Sequence, residues 1–438
     1  MYRKIMGLAL VFALFTLLIL STSGGISVAS GTDGSGIFHT ALPDGPYPVG
    51  VRIDHLDFQG SDMRIVTWYP AREVEGAEPY VALNPALNVR VQGTGILNAP
   101  PDRSKAPYPL IVFSPGFSAA ADSYLFYTEN LASYGYVVMG IDHLDCGRVN
   151  EVILSGLKDI MRYFFRIMTQ IIQGNSSDAV LIALSGWFRP TDFCLTYRPQ
   201  QEALVIDQAT DWNRDHSFPL HGMIDARNIG LTGHSYGAWQ TLLLGGMTIK
   251  PNPNVPADIN TGCMADRDPG NTKSAQAWAP TYSLKDRRVK AIVPLAPPIF
   301  NRDIATNAKE ISVPMMIITG DSPQWESTFY MQREVYKAAH KKSKYLVVIK
   351  DTDHFVVSDV CMPSYMRYIP FLPMNSGHFD EKAQAYKDYS SAFFDLYLKH
   401  DASRADVLKA PNQPFVSQVL YEIKGEKNND TCRRRNIR

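Results

Sequence analysis

The pentapeptide GHSYG at residues 233–237 is the feature that most constrains how this chain can fold. It lies between apolar runs at residues 228–232 and 238–244, which are typical of a buried strand and of a helix. In a G-x-S-x-G pattern the strand turns into the helix within a couple of residues, so the serine is strained and side chains at the flanking positions would clash. We therefore predict that Ser235 is a catalytic nucleophile at the N-terminus of a helix, where an oxyanion is favoured.

Short apolar runs recur along the chain and alternate with helical patterns. This order predicts right-handed crossovers and a mostly parallel sheet of about eight strands with helices on both faces. The predicted strands are residues 49–58, 63–70, 109–114, 136–142, 228–232, 290–295, 313–319 and 344–349. The predicted helices include residues 121–133, a helix that starts near 200, and residues 326–340 and 381–400. Residues 80–107 are rich in Pro, Asn and Gly and are predicted to be a loop.

The N-terminal segment has the pattern of an export signal. A basic stretch at residues 2–4 precedes an apolar run at residues 5–20, and small residues follow it. We predict a signal peptide over residues 1–30 and a periplasmic or secreted protein; an uncleaved membrane anchor is the alternative. Residues 31–438 then form one catalytic domain.

The composition narrows the range of partners. Hydrophobic residues make up 45% and charged residues 20%, and 43 basic residues balance 43 acidic ones, so no nucleic acid partner is predicted. The 5 cysteines have no C-x-x-C spacing, so we predict no metal site, and no motif indicates a cofactor. In an oxidising compartment one or two disulfides can form, and an odd count leaves a thiol that is free or intermolecular.

An insertion at about residues 148–198 interrupts the strand and helix order, and we predict that it forms a helical cap or lid. Within it, residues 151–173 place apolar side chains at helical spacing and basic residues on the opposite face. Two roles stay open for this amphipathic helix. It either packs on its own domain or contacts lipid, since its basic face suits anionic headgroups.

A serine nucleophile needs a base, and His354 is the best candidate. It lies in the segment KDTDHF at residues 350–355, directly after the last predicted strand, where a short turn can bring an imidazole to the serine. Its position after Ser235 also agrees with the chain order of a strand-turn-helix triad. His378 is the competing candidate.

The predicted acid is Asp321, which follows the strand before the last one. A carboxylate there would hold the correct tautomer of His354 and stabilise the imidazolium that forms when the serine loses its proton. Glu326, further along the same loop, is the alternative acid. A helix-capping role is the structural alternative for Asp321.

An oxyanion hole needs two backbone N–H groups. Tyr236, directly after the nucleophile, is predicted to supply one. The turn SPGF at residues 114–117 is predicted to supply the other from Phe117, with Gly116 allowing the backbone to come close to the ligand. Both aromatic side chains would also line the substrate site.

Taken together and in order, these motifs resemble the α/β-hydrolase superfamily. More narrowly, they resemble bacterial serine esterases related to plasma-type platelet-activating factor acetylhydrolase and to the dienelactone-hydrolase-like group. The resemblance extends from about Tyr47 to His400. The segments that carry it are MRIVTWYP at 63–70, FSPGF at 113–117, IDARNIGL at 224–231, VKAI at 289–292 and KYLVV at 344–348.

The resemblance implies that Ser235 is the nucleophile, His354 the base, and Phe117 and Tyr236 the oxyanion donors. The chain departs from both branches at the acid. Where the acetylhydrolase branch carries its acid, this chain has the sequence LAP at residues 295–297. Where the other branch carries it, three residues after a glycine, this chain has a proline at position 323.

The implied function is that of an exported hydrolase of carboxylic esters that works through an acyl-enzyme. Short acyl esters, short-chain or oxidised phospholipids and polyester fragments are the expected substrates. A non-catalytic binding module and a serine peptidase are the alternatives, because the same fold supports both. The presence of Ser235 and His354 favours the enzyme.

Overall fold

The computed structural model describes residues 37–84, 89–116, 119–144, 197–249, 282–299, 307–322, 326–340, 343–354, 356–359, 379–423 and 426–428. Several predictions lie outside these ranges. They are the signal peptide over residues 1–30, the amphipathic helix over residues 151–173 with most of the insertion around it, the oxyanion donor Phe117 and the alternative base His378.

One mixed sheet of 13 strands dominates the part of the chain that the structure describes. Its strands are β1 (Ile37–His39), β2 (Val49–Phe58), β3 (Ser61–Pro70), β4 (Pro79–Asn84), β5 (Val89–Leu97), β6 (Tyr108–Ser114), β7 (Val137–Ile141), β8 (Ile224–His234), β11 (Val289–Leu295), β12 (Met315–Gly320), β13 (Lys344–Ile349), β14 (Val416–Ile423) and β15 (Glu426–Asn428). Two short strands, β9 (Thr248–Ile249) and β10 (Tyr282–Ser283), pair with each other apart from it.

The strands of the sheet lie in the order β1-β5-β2-β3-β7-β6-β8-β11-β12-β13-β14-β15, with β4 paired to β5. Parallel pairing joins β7, β6, β8, β11, β12 and β13, whereas β2, β3 and β14 pair antiparallel with at least one neighbour. The carboxyl ends of the parallel strands therefore meet at one edge, which is where ligands bind in open α/β sheets.

Within the described ranges, five α-helices pack on the two faces of the sheet. They are α1 (Leu125–Ser133), α2 (Tyr197–Arg214), α3 (Tyr236–Leu244), α4 (Glu326–Ala338) and α5 (Phe379–Leu398). One core cluster joins α2, α3 and α4 to side chains such as Leu110 and Val112 of β6, and the other joins α1 and α5 to Ile111 and Phe113. Alternate residues of the same strand thus enter opposite cores, which is why β6 is a continuous apolar run.

All eight predicted strands are present, and the predictions of a mostly parallel sheet and of helices on both faces are confirmed. The sheet is larger than predicted because β1, β4, β5, β14 and β15 extend its edges. Within the described residues, no helix combines the length and apolar character that crossing a membrane requires.

The prediction of a loop over residues 80–107 was wrong, because β4 and β5 lie there. These strands lack a clear apolar pattern: Leu83 is 52% exposed, and β5 contains glycines. A Cβ atom at Gly93 would lie 2.1 Å from Oε1 of Glu129, whose carboxylate is buried and accepts hydrogen bonds from the N–H and Oγ1 of Thr94, each at 2.8 Å. The glycine makes room for a buried carboxylate and here does not mark a turn.

Candidate active site

Ser235 lies in a sharp turn between β8 and α3. Its backbone has φ 53° and ψ −118°, a conformation that costs a residue with a side chain about 1–3 kcal/mol. The surrounding structure holds it there: the Ser235 N–H donates a hydrogen bond to the carbonyl of Leu295 at the end of β11, at 3.0 Å. The strain predicted for the pentapeptide is therefore present.

The two flanking glycines are required by space. A Cβ atom at Gly233 would lie 2.6 Å from the carbonyl oxygen of Ser114, and one at Gly237 would lie 1.9 Å from the same atom. Pro115 contributes a second backbone oxygen, 2.7 Å from that position at Gly237. The predicted clash is confirmed, and the turn that follows β6 packs backbone against backbone on the turn that holds Ser235.

Gly116 lies close to the candidate nucleophile. A Cβ atom on it would be 3.6 Å from the Cβ of Ser235 and 3.1 Å from the hydroxyl of Tyr124. The Gly116 N–H donates to that hydroxyl at 3.1 Å, so this amide is already engaged. The second predicted donor, Tyr236, begins α3, and first-turn amides have no carbonyl partner within their own helix.

His354 lies in the loop after β13 and is buried. Its backbone carbonyl accepts a hydrogen bond from Nε2 of His234 at 2.7 Å, and the two imidazole rings are 4.8 Å apart between centroids. Because Nε2 of His234 donates, its Nδ1 accepts, and Tyr124 is the donor at 3.0 Å. Hydrogen bonds therefore run from Gly116 through Tyr124 and His234 to the backbone of His354.

Burial, and then the neighbouring His234, lower the pKa of His354 well below its ordinary value. Burial also lowers the pKa of His234 to about 4, although its bond to the His354 carbonyl acts in the opposite direction. At neutral pH both imidazoles are thus uncharged, which is the state that a general base requires.

The predicted acid, Asp321, directly follows β12 and lies at the base of the His354 loop. Its Oδ1 accepts the Asp351 N–H at 2.8 Å, and its Oδ2 accepts the hydroxyl of Ser417 at 3.2 Å. The structure thus brings the carboxylate to the backbone of the loop that carries His354, and both oxygens are engaged there. Its role as the triad acid stays a prediction. Glu326 begins α4, and its side chain lies outside the described residues.

A small pocket borders His354, with a cavity volume of about 10 Å³. Its lining residues are Ala296, Thr319, Gly320, Phe329, Gln332, Thr352, Asp353 and His354. Ala296, in the LAP sequence at residues 295–297, has φ 46°. Gln332 is buried, and its amide donates to the Pro297 carbonyl at 2.8 Å. The enclosed space beside His354 is about the size of one water molecule.

A buried polar cluster beneath the turn at residues 114–116 was missed by the sequence analysis. Arg198 and Glu202, from the first turns of α2, belong to it. His143 also belongs, since its Nε2 lies 2.8 Å from the Ser114 hydroxyl and its Nδ1 2.6 Å from Oε1 of Gln201. Burial raises the pKa of Glu202 to about 8 despite the opposing effects of Ser114 and Arg198. The only signal in the sequence is the helical spacing of 198, 201, 202 and 205 on one face of α2.

The residues present suit acyl transfer. Among the described residues, no group of three or more His, Cys, Asp or Glu side chains is arranged to hold a metal ion. The described site contains a strained serine, a neutral histidine and a turn at residues 114–116 whose backbone packs against the backbone around the serine.

Comparisons with known proteins agree with this architecture. Residues 87–155, which contain β6 and the SPGF turn, match the family described as platelet-activating factor acetylhydrolase, isoform II. Among solved structures, a ferulic acid esterase from Streptomyces cinnamoneus matches with a TM-score of 0.52 and 17% identity, covering 86% of this chain and 97% of the esterase. No curated protein sequence is significantly similar to the chain. The family and the fold together support the predicted class of carboxylic ester hydrolase. The predicted resemblance is thus confirmed: the chain has the α/β-hydrolase fold and is similar to the platelet-activating factor acetylhydrolases over residues 87–155.

Proposed function

We propose that the protein is an exported serine esterase that cleaves carboxylic esters through a covalent acyl-enzyme on Ser235. The observation that carries this proposal is the strained conformation of Ser235, at φ 53° between β8 and α3, packed on the turn at residues 114–116. A serine is held in such a conformation only where the surrounding structure imposes it, and such strain clusters at active sites.

In the proposed reaction the Ser235 hydroxyl attacks the ester carbonyl while His354 takes its proton. The N–H groups of Phe117 and Tyr236 receive the developing oxyanion. Collapse of the tetrahedral intermediate expels the alcohol, which takes the proton from the imidazolium. Water activated by the same imidazole then releases the acid, and Asp321 is the proposed group that orients the ring.

The family match favours esters with a short acyl group, because its description names an acetylhydrolase. Short-chain or oxidised phospholipids and polyester fragments are the further substrates that we propose. A phospholipid substrate would give the amphipathic segment 151–173 a role in lipid contact, and the proposed signal over residues 1–30 would deliver the enzyme outside the cytoplasm.

The test is a hydrolysis assay on purified protein that lacks residues 1–30, with p-nitrophenyl acetate, longer p-nitrophenyl esters and a peptide amide. We expect turnover of the acetate that Ser235→Ala removes. Rates equal to those of Ser235→Ala on every ester would refute the esterase and leave a binding module. Cleavage of the peptide amide alone would indicate a serine peptidase.

A further inference from the structure

We propose that Arg198 is a positioning residue for the oxyanion hole, and that it holds the turn at residues 114–116 against the N-terminus of α3. This inference rests on the proposed esterase function and assigns a task within that site. Arg198 is the second residue of α2 and is 2% exposed, so its charged group interacts with the protein and not with solvent.

The guanidinium group of Arg198 contacts the turn after β6 through two hydrogen bonds. Its Nη1 donates to the carbonyl of Pro115 at 2.6 Å, and its Nη2 donates to the carbonyl of Gly116 at 3.2 Å. Charged donors make stronger hydrogen bonds than neutral ones, and the planar fork of arginine fits two neighbouring acceptors at once. One side chain therefore fixes two successive peptide units of the turn.

Fixing these carbonyls also fixes the amides that share their peptide planes. In a trans peptide the C=O and the following N–H point in opposite directions. The Pro115 carbonyl belongs to the same unit as the Gly116 N–H, which donates to Tyr124 at 3.1 Å. The Gly116 carbonyl belongs to the same unit as the N–H of residue 117, the predicted oxyanion donor. By holding both carbonyls, Arg198 fixes the end of the described turn, from which the predicted donor follows in the chain.

Arg198 also contacts the other half of the predicted oxyanion hole. Its guanidinium carbon lies 4.8 Å from the centroid of the Tyr236 ring, within the range of a cation–π interaction. Tyr236 directly follows the candidate nucleophile and is the second predicted donor. One buried arginine therefore joins both segments that must supply N–H groups, and the distance between those segments determines how well an oxyanion fits.

Other residues on the same face of α2 also stabilise the region of the turn. Glu202, one helical turn after Arg198, is buried, and both Ser114 and Arg198 lower its pKa against the effect of burial. Gln201 holds His143, which in turn contacts the Ser114 hydroxyl. The start of α2 is thus anchored to the last residue of β6 as well as to the turn, so Arg198 has a rigid base from which to act.

The experiment compares Arg198→Met, Arg198→Lys and the unmodified chain on p-nitrophenyl acetate. Methionine fills similar space without donors, and lysine keeps the charge but cannot match two carbonyls with a planar fork. Removing one oxyanion donor outright costs about 10²–10³ in kcat, so a residue that only positions donors should cost less. We expect kcat to fall about 10- to 100-fold in Arg198→Met, to fall less in Arg198→Lys, and KM to stay nearly constant in both.

A second readout separates positioning from a purely structural role. A trifluoromethyl ketone forms a tetrahedral adduct with an active-site serine and mimics the transition state. Its inhibition constant should rise in Arg198→Met by the same factor by which kcat/KM falls, since both report on the oxyanion. Arg404→Met is the matched control, because Arg404 donates to Ser391 at 2.8 Å and stacks on Tyr134 at 4.6 Å, remote from the turn. It should lower the unfolding midpoint and leave kcat and the inhibition constant unchanged.

Equal kcat values in the unmodified chain and a folded Arg198→Met variant would overturn the proposal. If Arg198→Met does not fold, Arg198→Lys decides, and unchanged kcat and inhibitor affinity in that variant would overturn it as well. A fall in stability without a change in either readout would give Arg198 a structural role only. These outcomes differ from failure of the esterase itself, in which the unmodified chain and Ser235→Ala would be equally inactive.

Discussion

Replacing Gly237 with alanine should displace the active-site serine while the chain still folds. The added Cβ atom would lie 1.9 Å from the carbonyl oxygen of Ser114, where ordinary van der Waals contact begins at 3.4 Å, and 2.7 Å from the carbonyl oxygen of Pro115. Both obstacles are backbone atoms, so no side chain can rotate away. The start of α3 and the turn after β6 must therefore separate by about 1.5 Å, which is the difference between the 3.4 Å contact distance and the 1.9 Å from the added Cβ atom to the Ser114 oxygen.

Such a shift moves the nucleophile relative to the oxyanion turn. A misplacement of about 1 Å can cost on the order of 10²-fold in rate, and overpacking typically costs about 1–3 kcal/mol of stability. We therefore expect Gly237→Ala to lower kcat on p-nitrophenyl acetate at least about 100-fold and to reduce the free energy of unfolding measured in urea by a few kcal/mol.

The control is Gly245→Ala at the other end of α3. Gly245 has ordinary helical angles, φ −73° and ψ −11°, and its added Cβ atom would meet the tip of the Ile292 side chain at 2.5 Å, which can move. This variant should change stability by about 1 kcal/mol and keep the kcat of the unmodified chain. A folded Gly237→Ala variant with kcat within threefold of the unmodified chain would refute the steric reasoning.

Three further predictions concern the base, the acid and the insertion. Asp321→Asn should lower kcat by on the order of 10³-fold or more and Glu326→Gln should change it little; an active Asp321→Asn variant moves the acid role elsewhere. Because the pKa of His354 is lowered, kcat/KM should begin to decline on acidification only below pH 6.5. An acid-side midpoint of kcat/KM at or above pH 6.5 would contradict the burial of this histidine. In flotation with anionic liposomes, deletion of residues 151–173 should abolish binding, and equal binding with and without them would remove the lipid role.

The central strands could be predicted from the sequence because burial on both faces makes them continuous apolar runs. β6, with all its residues buried, shows this directly. β5 could not be predicted, because the position of Gly93 against the carboxylate of Glu129 depends on a helix that starts more than thirty residues later. A glycine that makes room for a distant side chain and a glycine that makes a turn look the same in a sequence.

The same contrast holds at the candidate site. The strain at Ser235 and the need for Gly233 and Gly237 follow from a local pattern, and both could be read from five residues. Arg198 could not be found in that way, because the carbonyls that it binds lie more than 80 positions earlier in the chain. The triad acid is harder still to predict from the sequence, because its identity depends on the conformation of the loop after Gly320. Asp321, in that loop, accepts a hydrogen bond from the backbone of the next loop.

His234, inside the pentapeptide, connects Tyr124 to the loop that carries His354 through hydrogen bonds. His234 must accept from Tyr124 and donate to the His354 carbonyl at once, and only a neutral imidazole does both. Its pKa of about 4 keeps it neutral at neutral pH. Below pH 6.5, however, the unfolded chain takes up a proton at this residue that the folded chain refuses, so the free energy of unfolding should decline from pH 6.5 to about 4. If His234→Gln removes none of that decline in urea denaturation, folding does not lower the pKa of His234, because glutamine can donate and accept without titrating.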